Sequence, residues 1–142
     1  MLIVINIGNN CINYIISPML KTLIMKGYTI VFSCKKGEIR VGKRKWVLED
    51  GEYVYVGSCG KFCYARIGRH LNEEISNRRW HVDYLKSLCK PILALVLPLS
   101  EEEIASLLPQ DLSLKDFGSS DCKIHKGHLF KLSFNELIEY LS

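Results

Sequence analysis

From residue 28 onward the chain alternates short β-branched and aromatic runs with tight polar breaks. YTIVFSC, residues 28–34, reads as a strand; KKGE turns the chain, and IRVGKRKWVL reads as two further short strands around GKRK. After a second turn, EDGE, the run YVYVGS forms another strand. Connections this short leave no room for a helical crossover, so the strands must pair antiparallel. Beyond Gly57 the period changes. KFCYARIGRHLNEEI has helical spacing that puts Arg66 and His70 four residues apart on one face, with Arg69 beside them. Gly68 weakens such a helix by about 1 kcal/mol relative to Ala, a cost that a close approach of another group would explain.

The second half is as readable. PILALVLPL, bounded by Pro91 and Pro98, has the length and flanks of a buried strand. SEEEIASLLPQ predicts a helix with Ser100 as N-cap and Glu103 at the reciprocal capping-box position. A polar loop, KDFGSSDCKIHKGH, leads to a strand in HLFKLS and a closing helix in NELIEYL. The pattern predicts an α+β domain: a small, mostly antiparallel sheet with a three-stranded core, flanked by helices.

Residues 1–24, MLIVINIGNNCINYIISPMLKTLI, are apolar but interrupted by Asn9, Asn10, Asn13 and Pro18, which makes them a poor membrane span. No basic region precedes the apolar run and no small-residue cleavage site follows it, so a signal peptide is not expected. Met25 opens a strand-first domain. Residues 1–24 are therefore expected to be an accessory segment or an upstream extension, and residues 25–142 the domain proper.

Length and composition bound the class. One domain of 142 residues buries roughly two-thirds of its unfolded surface without metal or disulfide. Net charge is +4, unevenly spread: residues 26–70 carry ten Lys/Arg against four Asp/Glu, and residues 101–142 carry four against eight. The cationic half points toward a polyanion such as nucleic acid, although a solvated charged face has the same composition. Six cysteines at 11, 34, 59, 63, 89 and 122 lack the dense spacing of a secreted scaffold. A reducing, cytoplasmic compartment is expected, with Cys59 and Cys63 as buried or half-buried thiols.

These residues together resemble the GIY-YIG nuclease superfamily. GYTIV followed by YVYVGS, with Arg66 and His70 on the next helix, carries the resemblance; GEYVYVGS, ARIGRHLN, WHVDYL, EEEIA and FGSSDC…HLF, in that order, are similar to its Uri-type branch. The likeness runs from about Met25 to about Leu132. It implies catalytic roles for Tyr28, Tyr55, Arg66 and His70, with the second family histidine on His81. The metal-binding glutamate would be one of two, Glu101 or Glu103. Two departures stand out: Gly27 directly precedes Tyr28 where relatives have Gly-x-Tyr, and no counterpart is found for an asparagine that many relatives carry after the glutamate helix.

The implied chemistry is hydrolysis of phosphodiester bonds in DNA, in repair, recombination or processing of structured substrates. Mg²⁺ (or Mn²⁺) held by a single carboxylate suits that ion's preference for water and phosphate oxygens. Arg66 would clamp developing negative charge with its fork of donors. Tyr28 or Tyr55 would position or deprotonate the water, and His70 would relay the proton or orient the phosphate. Lys43, Arg44, Lys45, Gly57, Ser58 and Arg69 would contact the nucleic acid. Structural alternatives accompany each: both tyrosines suit sheet packing, Arg66 and His70 a solvated helix face, and Glu103 its cap.

Cys122, His125 and His128 lie within seven residues and raise the question of structural zinc. The Uri-type branch has Cys-x-Cys-x3-His here, but Ile124 occupies the second cysteine position and cannot ligate. Without a fourth ligand, which Cys59 or Cys63 would have to supply, structural zinc is not expected. The partner expected is nucleic acid, DNA rather than RNA, and not a membrane; the small footprint leaves room for a homodimer or a larger protein partner. The alternative function is a nucleic-acid-binding module that keeps the nuclease fold without efficient cleavage.

Overall fold

A computed structural model describes residues 3–8, 11–15, 24–60, 63, 65, 67–68, 81–115, 117 and 128–142, of which 3–8, 11–15 and 81–83 are described by backbone alone. Its strands are β1 (Ile3–Gly8), β2 (Cys11–Ile15), β3 (Gly27–Cys34), β4 (Gly37–Val41), β5 (Arg44–Leu48), β6 (Gly51–Ser58), β7 (Cys89–Leu97) and β8 (Leu129–Phe130). Two helices follow the sheet-forming segments, α1 (Glu101–Leu107) and α2 (Phe134–Leu141). Cys63, Ala65, Ile67 and Gly68 are helical. His81–Ser87 form a 3-10 turn.

Six strands make one sheet in the order β2-β1-β7-β3-β6-β8, with β4 and β5 paired as a separate hairpin. Every pairing among the described strands is antiparallel. The fold class read from the sequence, α+β with a mostly antiparallel sheet flanked by helices, is the one observed, and β7, β3 and β6 stand at the sheet's centre. Short turns account for the β3–β4, β4–β5 and β5–β6 connections, the second of them with Gly42 at φ 62°. A side chain is strained at that angle and glycine is not.

Strand periodicity divides the core between the two faces of the sheet. Tyr28, Ile30 and Phe32 of β3 and Tyr53 and Tyr55 of β6 point to one face, packed with Ile39, Trp46 and Leu48 of the β4–β5 hairpin and with Ile67, Leu85 and Phe117. Val31, Val54, Val56, Leu95 and Leu97 point to the other, under Ile104 and Ala105 of α1 and Leu137 of α2. At the β3–β7 pairing the register shifts between Val31 and Phe32, whose partners are Leu93 and Pro91. Ile92 is the extra residue and is 38% exposed. A bulge at Pro91 is the expected place for a residue that has no N–H to give the ladder.

Both helices start on capping boxes. Ser100 Oγ accepts from Glu103 N at 3.1 Å while Ser100 N donates to Glu103 Oε1 at 3.4 Å; Ser133 and Glu136 repeat the pattern at 3.2 Å in both directions. These bonds satisfy amide groups that the first turn of a helix otherwise leaves without partners. The strand expected in HLFKLS is shorter than its apolar pattern. Only Leu129 and Phe130 pair with β6, because Lys131 N turns away to Leu112 O at 3.0 Å.

The N-terminal segment joins the sheet as a hairpin. β1 pairs with β7 from Ile3↔Val96 to Asn6↔Leu93, and β2 closes that edge. The expectation of free thiols is corrected: Cys34 is bonded to Cys89 and Cys59 to Cys63. Cys34 and Cys89 face each other in the β3–β7 register, which brings their Cα atoms to 4.0 Å. That proximity is a product of strand pairing and has no signature in sequence spacing. Among the described residues no helix is long and apolar enough to cross a membrane.

Candidate functional site

The start of β3 and the end of β6 meet at one edge of the sheet, where Gly27 pairs with Ser58 and Tyr28 with Gly57. Because Gly57 has no side chain, the Tyr28 ring lies across it: a Cβ at Gly57 would collide with the Tyr28 ring and hydroxyl. Tyr and Gly are thus one packing unit across two strands. Tyr55 stands on the same face, opposite Ile30 and diagonal to Tyr28. Both rings are largely buried, Tyr28 3% and Tyr55 7% exposed.

Backbone bonds lock this end. Lys26 N donates to Leu97 O and Cys59 N to Lys26 O, each at 2.9 Å. Gly27 holds a second close approach, since a Cβ there would fall 2.5 Å from Leu99 O, 2.8 Å from Ile104 Cδ1 and 3.1 Å from Glu101 N. The absence of that Cβ lets the first turn of α1 settle on the start of β3. Glu101 therefore arrives at the sheet end that carries Tyr28, Gly57 and Ser58.

Glu101 and Glu103, both left open as sequence candidates for the metal ligand, have different surroundings. Glu103 is exposed and engaged in its capping box. Glu101 is half-buried, and its Oε1 lies 2.5 Å from Nδ1 of His128, whose side chain is only 2% exposed. His128 is itself held by main chain: its N–H donates to Phe117 O at 2.8 Å and its carbonyl accepts from Val56 N at 2.9 Å. A carboxylate fixed through one oxygen keeps the other available, and a single oriented carboxylate is the protein ligand that Mg²⁺ requires when water and phosphate fill its remaining positions. The donor set at Glu101 fits that ion.

The remaining candidates fall in several places. Ser58 is half-buried beside Gly57. Lys43, Arg44 and Lys45 are exposed at the β4–β5 turn. His81 opens the 3-10 turn, described by backbone alone. Arg66, Arg69, His70, Cys122 and His125 lie outside the described residues. His128, a zinc candidate by sequence, turns its Nδ1 to Glu101 instead. Cys59 and Cys63 are bonded to each other and have no thiolate to lend to zinc. Among the described residues no group of three or more His, Cys, Asp or Glu side chains is gathered as a metal site.

Sequence reasoning missed the partnership of His128 with Glu101. The two are 27 positions apart, and neither spacing nor periodicity links them. It also missed Lys115, whose loop reaches the β4–β5 hairpin.

Comparison with known proteins adds one match. The model of a family described as a domain of unknown function, DUF123, covers residues 27–141. No curated protein and no solved structure matches the chain. The matched range starts at β3, so the β1–β2 hairpin lies outside it.

Proposed function

The chain belongs to the DUF123 family, a family of domains of unknown function, and from that premise we propose that it is a metal-dependent endonuclease hydrolysing phosphodiester bonds in DNA, in repair, recombination or the processing of structured substrates. The observation that carries the reading is the arrival of Tyr28, Gly57 and the His128-held Glu101 at one end of the sheet. Glu101 would hold Mg²⁺ or Mn²⁺, which supplies charge neutralisation at a phosphoryl oxygen when bound. The chain's own residues have separable tasks. His128 orients the Glu101 carboxylate, and Gly57 sets the height at which the Tyr28 hydroxyl stands over β6. Arg66 and His70 keep the roles that resemblance to GIY-YIG nucleases implies, as charge clamp and proton relay. The reading places the protein in the cytoplasm with its nucleic acid. Disulfides persist there in intracellular proteins of hyperthermophiles.

One observation favours a second reading, a nucleic-acid-binding module without efficient cleavage. Tyr28 and Tyr55 are buried like core aromatics, as they would be in a domain that retains only the fold. The discriminating test is incubation of labelled single-stranded, duplex, branched and flapped DNAs and RNAs with Mg²⁺ or Mn²⁺. Wild type is compared with Arg66→Ala, Glu101→Gln and Glu103→Gln. Metal-dependent cutting lost in Arg66→Ala and Glu101→Gln but kept in Glu103→Gln is the expected result. Salt-sensitive binding without turnover under any condition overturns the enzyme in favour of the binding module.

A further inference from the structure

The β4–β5 hairpin does not join the main sheet. It folds over the tyrosine-bearing face, with Ile39, Trp46 and Leu48 packed into the core there and Arg40, Lys43, Arg44 and Lys45 left outside. Trp46 fixes its position: the indole N–H donates to Lys115 O at 2.8 Å, and the ring meets Phe117 edge-on, 5.0 Å between centroids and 76° between planes. Phe117 is in turn bonded through its carbonyl to His128 N. A continuous set of contacts thus runs from the hairpin to the histidine that holds Glu101.

Where hairpin and loop meet, Arg44, Lys45, Trp46 and Lys115 line a shallow pocket of about 350 Å³. Three cationic side chains surround one indole, and among the described residues that line the pocket none is acidic. Glu38 sits outside the lining, bonded to Arg40 and 3.7 Å from Lys45. The Arg40 guanidinium holds its carboxyl below the usual carboxylate range, so it stays ionised at neutral pH and offsets part of the Lys45 charge. Among the described residues the cations still outnumber it. Arg offers a planar fork and Lys a movable point charge, a combination that suits the oxygens of a phosphate held without regard to base identity.

We propose that this pocket is a phosphate subsite that grips the backbone of the bound nucleic-acid strand, apart from the phosphate presented to Tyr28 and Glu101. The proposal rests on the nucleic-acid reading and deepens it. A strand repeats its phosphates, so one chain can fill both the pocket and the sheet end, to which the pocket is tied through Phe117 and His128. Binding there is electrostatic and sequence-independent, and it registers as counterion release.

Fluorescence anisotropy of labelled single-stranded and duplex oligonucleotides of two unrelated sequences, without divalent metal and over a roughly fourfold range of salt, tests this. In Lys45→Ala/Lys115→Ala the slope of log K against log salt falls by roughly 1.4 to 1.8 on either sequence, as expected for two lost phosphate contacts. Glu38→Gln, which removes the opposing charge, binds more tightly than wild type, an outcome that misfolding would not produce. An unchanged slope in the double variant overturns the subsite. Poly-glutamate competing as well as the oligonucleotide overturns it in favour of an acidic peptide, and competition by inorganic phosphate alone reduces it to a free-phosphate site. The two proposals fail separately. A wild type that binds in this way without cutting loses the nuclease but keeps the subsite, one that cuts with an unchanged variant slope loses only the subsite, and one that binds no nucleic acid loses both.

Discussion

Gly57 works by what it lacks: the Tyr28 ring occupies the space a side chain would take. Gly57→Ala must push the ring or the strand aside, and overpacking of this kind costs about 1–3 kcal/mol. The expected outcome is a lower midpoint in urea unfolding, with activity reduced beyond the loss of folded protein because Tyr28 moves. Thr29, one residue from Tyr28, points to the opposite face between Val56 and Leu95 and is fully buried. Among the described residues its hydroxyl has no hydrogen-bond partner. Thr29→Val keeps the shape and removes the orphaned group, so it should raise stability by up to about 1 kcal/mol without touching activity. A fall in the unfolding midpoint would show that the hydroxyl is satisfied in solution.

At the scale of elements, the two capping boxes are equivalent in geometry and different in consequence. Losing a serine cap costs about 1 kcal/mol, so Ser100→Ala and Ser133→Ala should lower thermal stability to a similar degree. Only Ser100→Ala should also lower cleavage per folded molecule, because Glu101 is the first residue of α1 and its carboxylate must meet His128. Equal activity in the two variants would detach the site from the start of α1. The Ser100 box and most strands were read from the sequence, since each rests on neighbours within a few residues; the Ser133 box was found only in the structure. The shortened β8 was not. Its apolar run continues past Phe130, and the chain leaves the sheet because Lys131 finds Leu112, a partner nineteen positions earlier.

For the molecule as a whole, two disulfides and the β1–β2 hairpin close the fold. Cys34 and Cys89 close a loop of sequence separation 55, Cys59 and Cys63 one of 4. Loop-closure entropy makes the first worth roughly 4 kcal/mol and the second about half that. Cys34→Ser/Cys89→Ser should therefore melt well below Cys59→Ser/Cys63→Ser; the reverse order would contradict the chain-entropy account. The β1–β2 hairpin covers one side of β7. A chain of residues 25–142 should still fold, as its family match from residue 27 implies. It should melt lower and self-associate through the uncovered β7 edge. Light scattering beside thermal melts checks this, and a monomer with unchanged melting would show that β1 adds nothing to the sheet.

What the sequence by itself determined is everything written in short-range pattern: the α+β class, the strands that became β3, β6 and β7, the hairpin turn, the capping box at Ser100 and the closing helix. Alternation, turn chemistry and capping act over two to four residues, and their signals survive in a single chain. Only the tertiary structure decided which glutamate meets His128, that Cys34 faces Cys89, and that Lys115 joins Arg44 and Lys45 around Trp46. Each of those joins residues 27 to 71 positions apart. Their proximity follows from sheet register and from how far the hairpin folds over the core, quantities set by the packing of the whole domain and carried by no local pattern.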